Sequence, residues 1–86
     1  MYFIYLARCS DGTLYTGYCR DLNEREQRHN QGLGAKYTRG RLPVQIVYFE
    51  EFLNRSDAMK REAEIKTWTK QQKELVIKTK KRQAKP

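Results

Sequence analysis

The residue types that carry cross-links, metal sites or membrane anchors are scarce in this chain of 86 residues: two cysteines, one histidine, two prolines and one tryptophan. No apolar run approaches the ~20 residues needed to span a bilayer, and Met1 leads directly into strand-like sequence without a charged-then-apolar leader, so a cytoplasmic protein without a membrane partner is expected. Cys9 and Cys19 lack the spacing of a zinc site and are expected to be free, buried thiols. Acidic residues are also few. Ten Asp and Glu stand against eighteen Lys and Arg, leaving a formal charge of +8. Such an excess on a short chain favours a polyanionic partner, nucleic acid first; a membrane surface or an acidic protein would match the same sign.

What is present suffices for one small folded domain. Hydrophobic residues make up 38% of the chain, with six tyrosines and three phenylalanines. A core of this size buries about 60–65% of the unfolded surface. The domain is expected over residues 1–77, followed by a basic, disordered tail over residues 78–86. Phe3-Ile4-Tyr5 and Tyr15-Thr16-Gly17 flank the turn Ser10-Asp11-Gly12, and Asp-Gly between two β-rich runs is a strong hairpin signal. With Cys9 facing Thr13, the ladder sets Ala7 opposite Tyr15 and Tyr5 opposite Gly17, all on one face. Cys9 and Cys19 are then about 20 Å apart, too far for a disulfide. Gly17 is expected to leave open space across from Tyr5, where a ligand can approach. Strand tyrosines commonly just pack, so the hairpin alone does not establish chemistry.

Asp21-Leu22-Asn23-Glu24 has the form of a capping box, predicting a helix that stops near Gly32 and carries Leu22, Arg25 and His29 on one face. Polar groups on a docking face suggest a site. Residues 31–41 hold three glycines with Lys36, Arg39 and Arg41 around Tyr37 and read as an exposed basic loop suited to phosphates, with Lys36, Thr38 and Arg39 as substrate contacts. Residues 44–52 read as a third strand. A helix opening at Ser56 places Glu62 within the stripe of Ala58, Met59 and Ile65. A carboxylate there needs a cation, hydrogen bonds or a metal, and Lys66 at i+4 is the simplest partner. Thr69-Lys70-Gln71-Gln72 resembles a second capping box opening a short helix to Ile77.

Together these positions resemble the GIY-YIG endonuclease superfamily, and in particular its small stand-alone bacterial members. The two motifs appear as Phe3-Ile4-Tyr5 and Tyr15-Thr16-Gly17, with Phe3 in place of glycine; Arg25, His29 and Glu62 match the helix-borne residues, and the resemblance covers residues 2–77. It implies an α+β fold with a three-stranded antiparallel sheet flanked by helices, in the order β-β-α-β-α-α. It further implies a phosphodiester-cleaving site with a single divalent cation, Mg²⁺ or Mn²⁺, on Glu62. The expected roles follow. Tyr5 orients or deprotonates the attacking water with Tyr15 beside it, Arg25 neutralises the phosphate, His29 supports phosphate or water, and nearby cations lower the phenol's pKa. Gly17, Lys36, Thr38 and Arg39 are the expected substrate-binding positions. DNA is the expected substrate ahead of RNA, the domain a monomer, and a targeting protein a further partner. The alternative is a nucleic-acid-binding module of the same fold that cuts slowly or not at all.

Overall fold

A computed structural model describes residues 1–80. Strands β1 (Tyr2–Arg8) and β2 (Leu14–Cys19) form the hairpin. Cys9 donates its N–H to the Thr13 carbonyl at 2.9 Å, Gly12 adopts φ +85, and Tyr5 pairs with Gly17 and Ala7 with Tyr15, as expected. Helix α1 (Leu22–Asn30) follows, then one turn of helix, α2 (Lys36–Arg39), strand β3 (Gln45–Phe52), and helices α3 (Arg55–Lys66) and α4 (Lys70–Thr79). The sheet is antiparallel with order β2-β1-β3.

Because β1 is central, both its faces are covered. Phe3, Tyr5 and Ala7 pack with Cys9, Cys19, Leu22, Val44 and Ile46 on the α1 side, while Ile4 and Leu6 pack with Tyr48, Ala58 and Ile65 on the α3 side. Both cysteines are free and buried. The β1–β3 register slips between Leu6 and Ala7, so Leu6 pairs with Tyr48 but Ala7 with Ile46. Strict alternation would have kept Ile46 and Tyr48 on one side. The bulge sends them to opposite faces.

Several boundaries differ from expectation. Helix α3 is capped by Asn54, whose side chain accepts from the Asp57 N–H at 2.8 Å, and not by Ser56; Asn is as good a cap and stands at the right spacing. Asp21 caps α1 through the Glu24 N–H at 2.9 Å. Thr69 and Gln72 complete both arms of the second capping box, and α4 runs to Thr79, two residues beyond its expected end at Ile77; the rest of the expected tail falls mostly outside the described residues. The outer edge of β3 is not left bare. Asn30 brackets Val44, with bonds of 2.9 Å to its carbonyl and 2.6 Å from its N–H, and Glu26 accepts from the Ile46 N–H at 2.7 Å. Helix α1 is thereby fastened to the sheet along an edge that could otherwise pair with another strand.

Candidate active site

The hairpin and α1 together build a compact cluster of rings. Tyr5 and Tyr15, diagonal neighbours on β1 and β2, have centroids 6.3 Å apart, and the His29 ring meets both edge-on at 5.9 and 5.5 Å. The Tyr5 hydroxyl lies 2.8 Å from His29 Nε2, and His29 Nδ1 lies 2.8 Å from Thr38 Oγ1. Two glycines make room. A Cβ on Gly17 would lie 2.5 Å from the Tyr5 Cζ and hydroxyl, and one on Gly34 would lie 2.2 Å from His29 Nδ1. The expected gap over Gly17 is therefore filled by the Tyr5 ring, and the glycine serves that phenol instead of holding open a path for ligand.

Burial divides the two tyrosines. Tyr5 is 1% exposed whereas Tyr15 is half-buried, so Tyr15 is the phenol that solvent reaches more readily. Burial, reinforced by Tyr15, pushes the Tyr5 phenol well above its usual range; Arg25 pulls the other way and does not prevail. The lowering expected from Arg25 is thus outweighed by desolvation. His29, 1% exposed, is held below the usual histidine range by burial and then by Arg25, with Glu26 opposing. Both ring nitrogens are already engaged inside the protein, by Tyr5 and by Thr38.

Arg25 stands on α1 one turn before His29 and bears electrostatically on Tyr5, Cys19 and His29. Its buried Nε has no hydrogen-bond partner among the described residues. Glu62 comes from the opposite layer. Helix α3 packs along β1 and β2, and its carboxylate still acts on the Tyr5 phenol through space. Lys66 pairs with Glu62 at 3.1 Å, the i,i+4 contact expected from spacing. No group of three or more metal-ligating side chains occurs among the described residues. One carboxylate does not suit zinc. It does suit Mg²⁺ or Mn²⁺, which retain waters and take further oxygens from substrate phosphate, and Glu62 is the residue that would hold such an ion.

The loop after α1 is more ordered than its glycines suggest. Lys36 and Arg39 are exposed on α2, but Thr38 between them is fully buried against His29, so Thr38 is not placed for substrate contact. Tyr37 stacks on Tyr15 at 6.0 Å, with the Arg41 guanidinium 4.1 Å from its ring centre; Arg41 also pairs with Asp11 at 3.0 Å, joining α2 to the hairpin turn. Beside them Thr13, Leu14, Tyr37, Lys70 and Lys73 line a cavity of about 200 Å³. Lys73 is held below the usual lysine range by burial and by Lys66, a cation with cations for neighbours. Sequence reasoning passed over Lys70, Lys73 and Gly34, since none shares a periodic face with the tyrosines. A larger depression of about 470 Å³ lies at the start of α1, lined by Arg20, Asp21 and Glu24 among others and by none of the ring cluster.

A family model described as the GIY-YIG catalytic domain matches residues 1–83. A UPF0213 protein of Staphylococcus aureus (strain Mu50) is 54% identical over 77 residues, covering 90% of this chain and 94% of that protein. Among solved structures, a UPF0213 protein from Bacillus halodurans has a TM-score of 0.61 at 38% identity, covering 95% of this chain and 88% of its own. A protein from E. faecalis has a TM-score of 0.60 at 42% identity, covering 91% and 83%. Members of the matched family are generally nucleases and typically depend on a divalent metal. By sequence and by fold, the chain belongs to the GIY-YIG family.

Proposed function

We propose that this domain is a divalent-metal-dependent endonuclease that hydrolyses phosphodiester bonds in nucleic acid, with DNA as its substrate. The observation that supports the reading is the ring cluster of Tyr5, Tyr15 and buried His29, on whose Tyr5 the charges of Arg25 and Glu62 act through space. In-line hydrolysis needs an oriented water, neutralised charge on the phosphate and help for the departing oxygen. Tyr15, the more accessible phenol, helps orient the attacking water, whose proton passes to Tyr5 beside it. Arg25 binds the scissile phosphate through guanidinium donors suited to its oxygens. Glu62 holds Mg²⁺ or Mn²⁺, which when bound supplies Lewis-acid stabilisation of charge on the phosphate. Lys36 and Arg39, exposed on α2, contact flanking phosphates. The domain works as a monomer in the cytoplasm, and a separate protein supplies targeting.

A second reading, a binding module that does not cut, is favoured by one observation: Lys66 occupies the Glu62 carboxylate. Incubation with supercoiled, single-stranded and branched DNA and with RNA, in Mg²⁺, Mn²⁺ or EDTA, separates the two. The nuclease reading predicts metal-dependent cutting that falls about 10²–10⁴-fold in Tyr5→Phe and to background in Glu62→Ala. Binding that persists in both variants while no substrate is cut would instead establish the module.

A further inference from the structure

The proton positions between Tyr5, His29 and Thr38 follow from counting donors. Thr38 Oγ1 has one hydrogen and two neighbours, the Ala35 carbonyl at 2.9 Å and His29 Nδ1 at 2.8 Å. A carbonyl only accepts, so the hydroxyl hydrogen goes to Ala35 and only a lone pair remains for the imidazole. His29 Nδ1 must then carry a hydrogen. In the neutral ring Nε2 is left bare, and the group 2.8 Å from it is the Tyr5 hydroxyl, which must donate.

We propose that Thr38 is a positioning residue that locks His29 in the Nδ1–H tautomer, so that Tyr5 is held as a donor to His29 and keeps only its oxygen lone pairs for any further partner. The surrounding structure supports the arrangement. Gly34 admits the backbone against Nδ1, Gly17 admits the Tyr5 ring, and α2 places Thr38 through the turn that Ala35 opens. Burial favours the neutral form of both partners, as a neutral phenol–imidazole pair requires. Arg25 and Glu26 from α1 and Glu62 from α3 act on the pair through their charge, while the hydrogen-bond partner at Nδ1 is Thr38.

The consequence for hydrolysis rests on the nuclease reading. A phenol donating to an imidazole accepts a proton on one side as it releases one on the other, so Tyr5 serves as a base without standing as a phenolate. The proton arrives from the Tyr15 side, taken from the attacking water as its oxygen bonds to phosphorus. A new O–H forms at Tyr5, its former O–H breaks, and an N–H forms at Nε2. The positive charge rests on an imidazolium whose Nδ1–H still bonds to Thr38. The bond from phosphorus to the departing oxygen breaks with its electron pair, and that oxygen takes its proton from solvent.

The test begins with the tautomer, because His29 is the chain's one histidine and its signals need no assignment. Long-range proton–nitrogen correlation spectra of ¹⁵N-labelled protein at pH 7.5 are expected to show a protonated Nδ1 and a bare Nε2. The same pattern is expected in Thr38→Ser and a shift toward Nε2–H in Thr38→Val. In parallel, cleavage should fall about 10²-fold or more in Thr38→Val and survive in Thr38→Ser, as for a general base that loses its tautomer. An Nε2–H wild-type ring, or a Thr38→Val protein that keeps the original tautomer, overturns the proposal. If Thr38→Val does not fold, the wild-type tautomer and Thr38→Ser decide it. The spectra decide the role of Thr38 even if the wild-type domain cuts nothing, so failure of the nuclease reading is seen separately.

Discussion

His29 shows how a residue's chemistry can be half visible in a sequence. Its place on the inward face of α1, one turn from Arg25, is legible from helical spacing alone. Its partners are not, because Thr38 becomes one only when residues 36–39 form a turn of helix, and Gly34 matters only because the chain then passes against the ring. Tyr5 and Tyr15 were legible as neighbours, since a hairpin turn sets register and register sets pairing. Which of them is buried depended on what α1 lays over the strand. The lowered affinity of His29 for protons leads to a test. Its midpoint in an NMR titration is expected below its ordinary value of about 6.5. The unfolded chain then binds a proton that the folded one refuses, so His29's contribution to stability is complete above about pH 6.5 and is lost as pH falls from there through the folded value. A midpoint above 6.5 would contradict the neutral, engaged imidazole.

Among the elements, α3 has to be held firmly because it carries Glu62. Arg61 does much of this, gripping Glu50 of β3 with bonds of 2.8 and 2.9 Å, reaching Glu64 at 2.8 Å and lying 5.0 Å over the Trp68 ring; Tyr48 donates to the same Glu50 carboxylate. Burial alone would raise the Glu50 carboxyl, but Arg61 and Tyr48 bring it below the usual range. With side-chain exposures of 28% and 21%, this pair is better shielded than a surface contact. Arg61→Ala is expected to cost about 1–2 kcal/mol, or roughly 4–16 °C in Tm, measured by thermal melting. A melting temperature equal to wild type would show that α3 is held by apolar packing alone. The expected helix pattern located α3 and α4 well, since caps and periodic stripes are local signals. The bulge at Leu6/Ala7 escaped it, because a slip between β1 and β3 is decided by strands about forty residues apart.

For the molecule as a whole, the excess of positive charge was plain from composition, but not where it gathers. The structure brings Lys70 and Lys73 of α4 beside Tyr37, which stacks on Tyr15, so part of the charge borders the ring cluster. The bidentate contact of Arg8 with Glu74, at 2.8 and 2.7 Å, ties α4 to the end of β1 and fixes that border. Lys73→Ala is expected to weaken DNA binding across sequences and to reduce the slope of log affinity against log salt by about 1, read from binding titrations at several salt concentrations. An unchanged slope would place the nucleic acid elsewhere. The most direct measurement for the central claim is the single-turnover rate of DNA cleavage in Mn²⁺ by the wild-type domain beside Glu62→Gln and Arg25→Ala. The site described here predicts cutting that EDTA abolishes, with a loss of about 10²-fold or more in each variant. Equal rates in all three proteins, or cutting indifferent to EDTA, would contradict it.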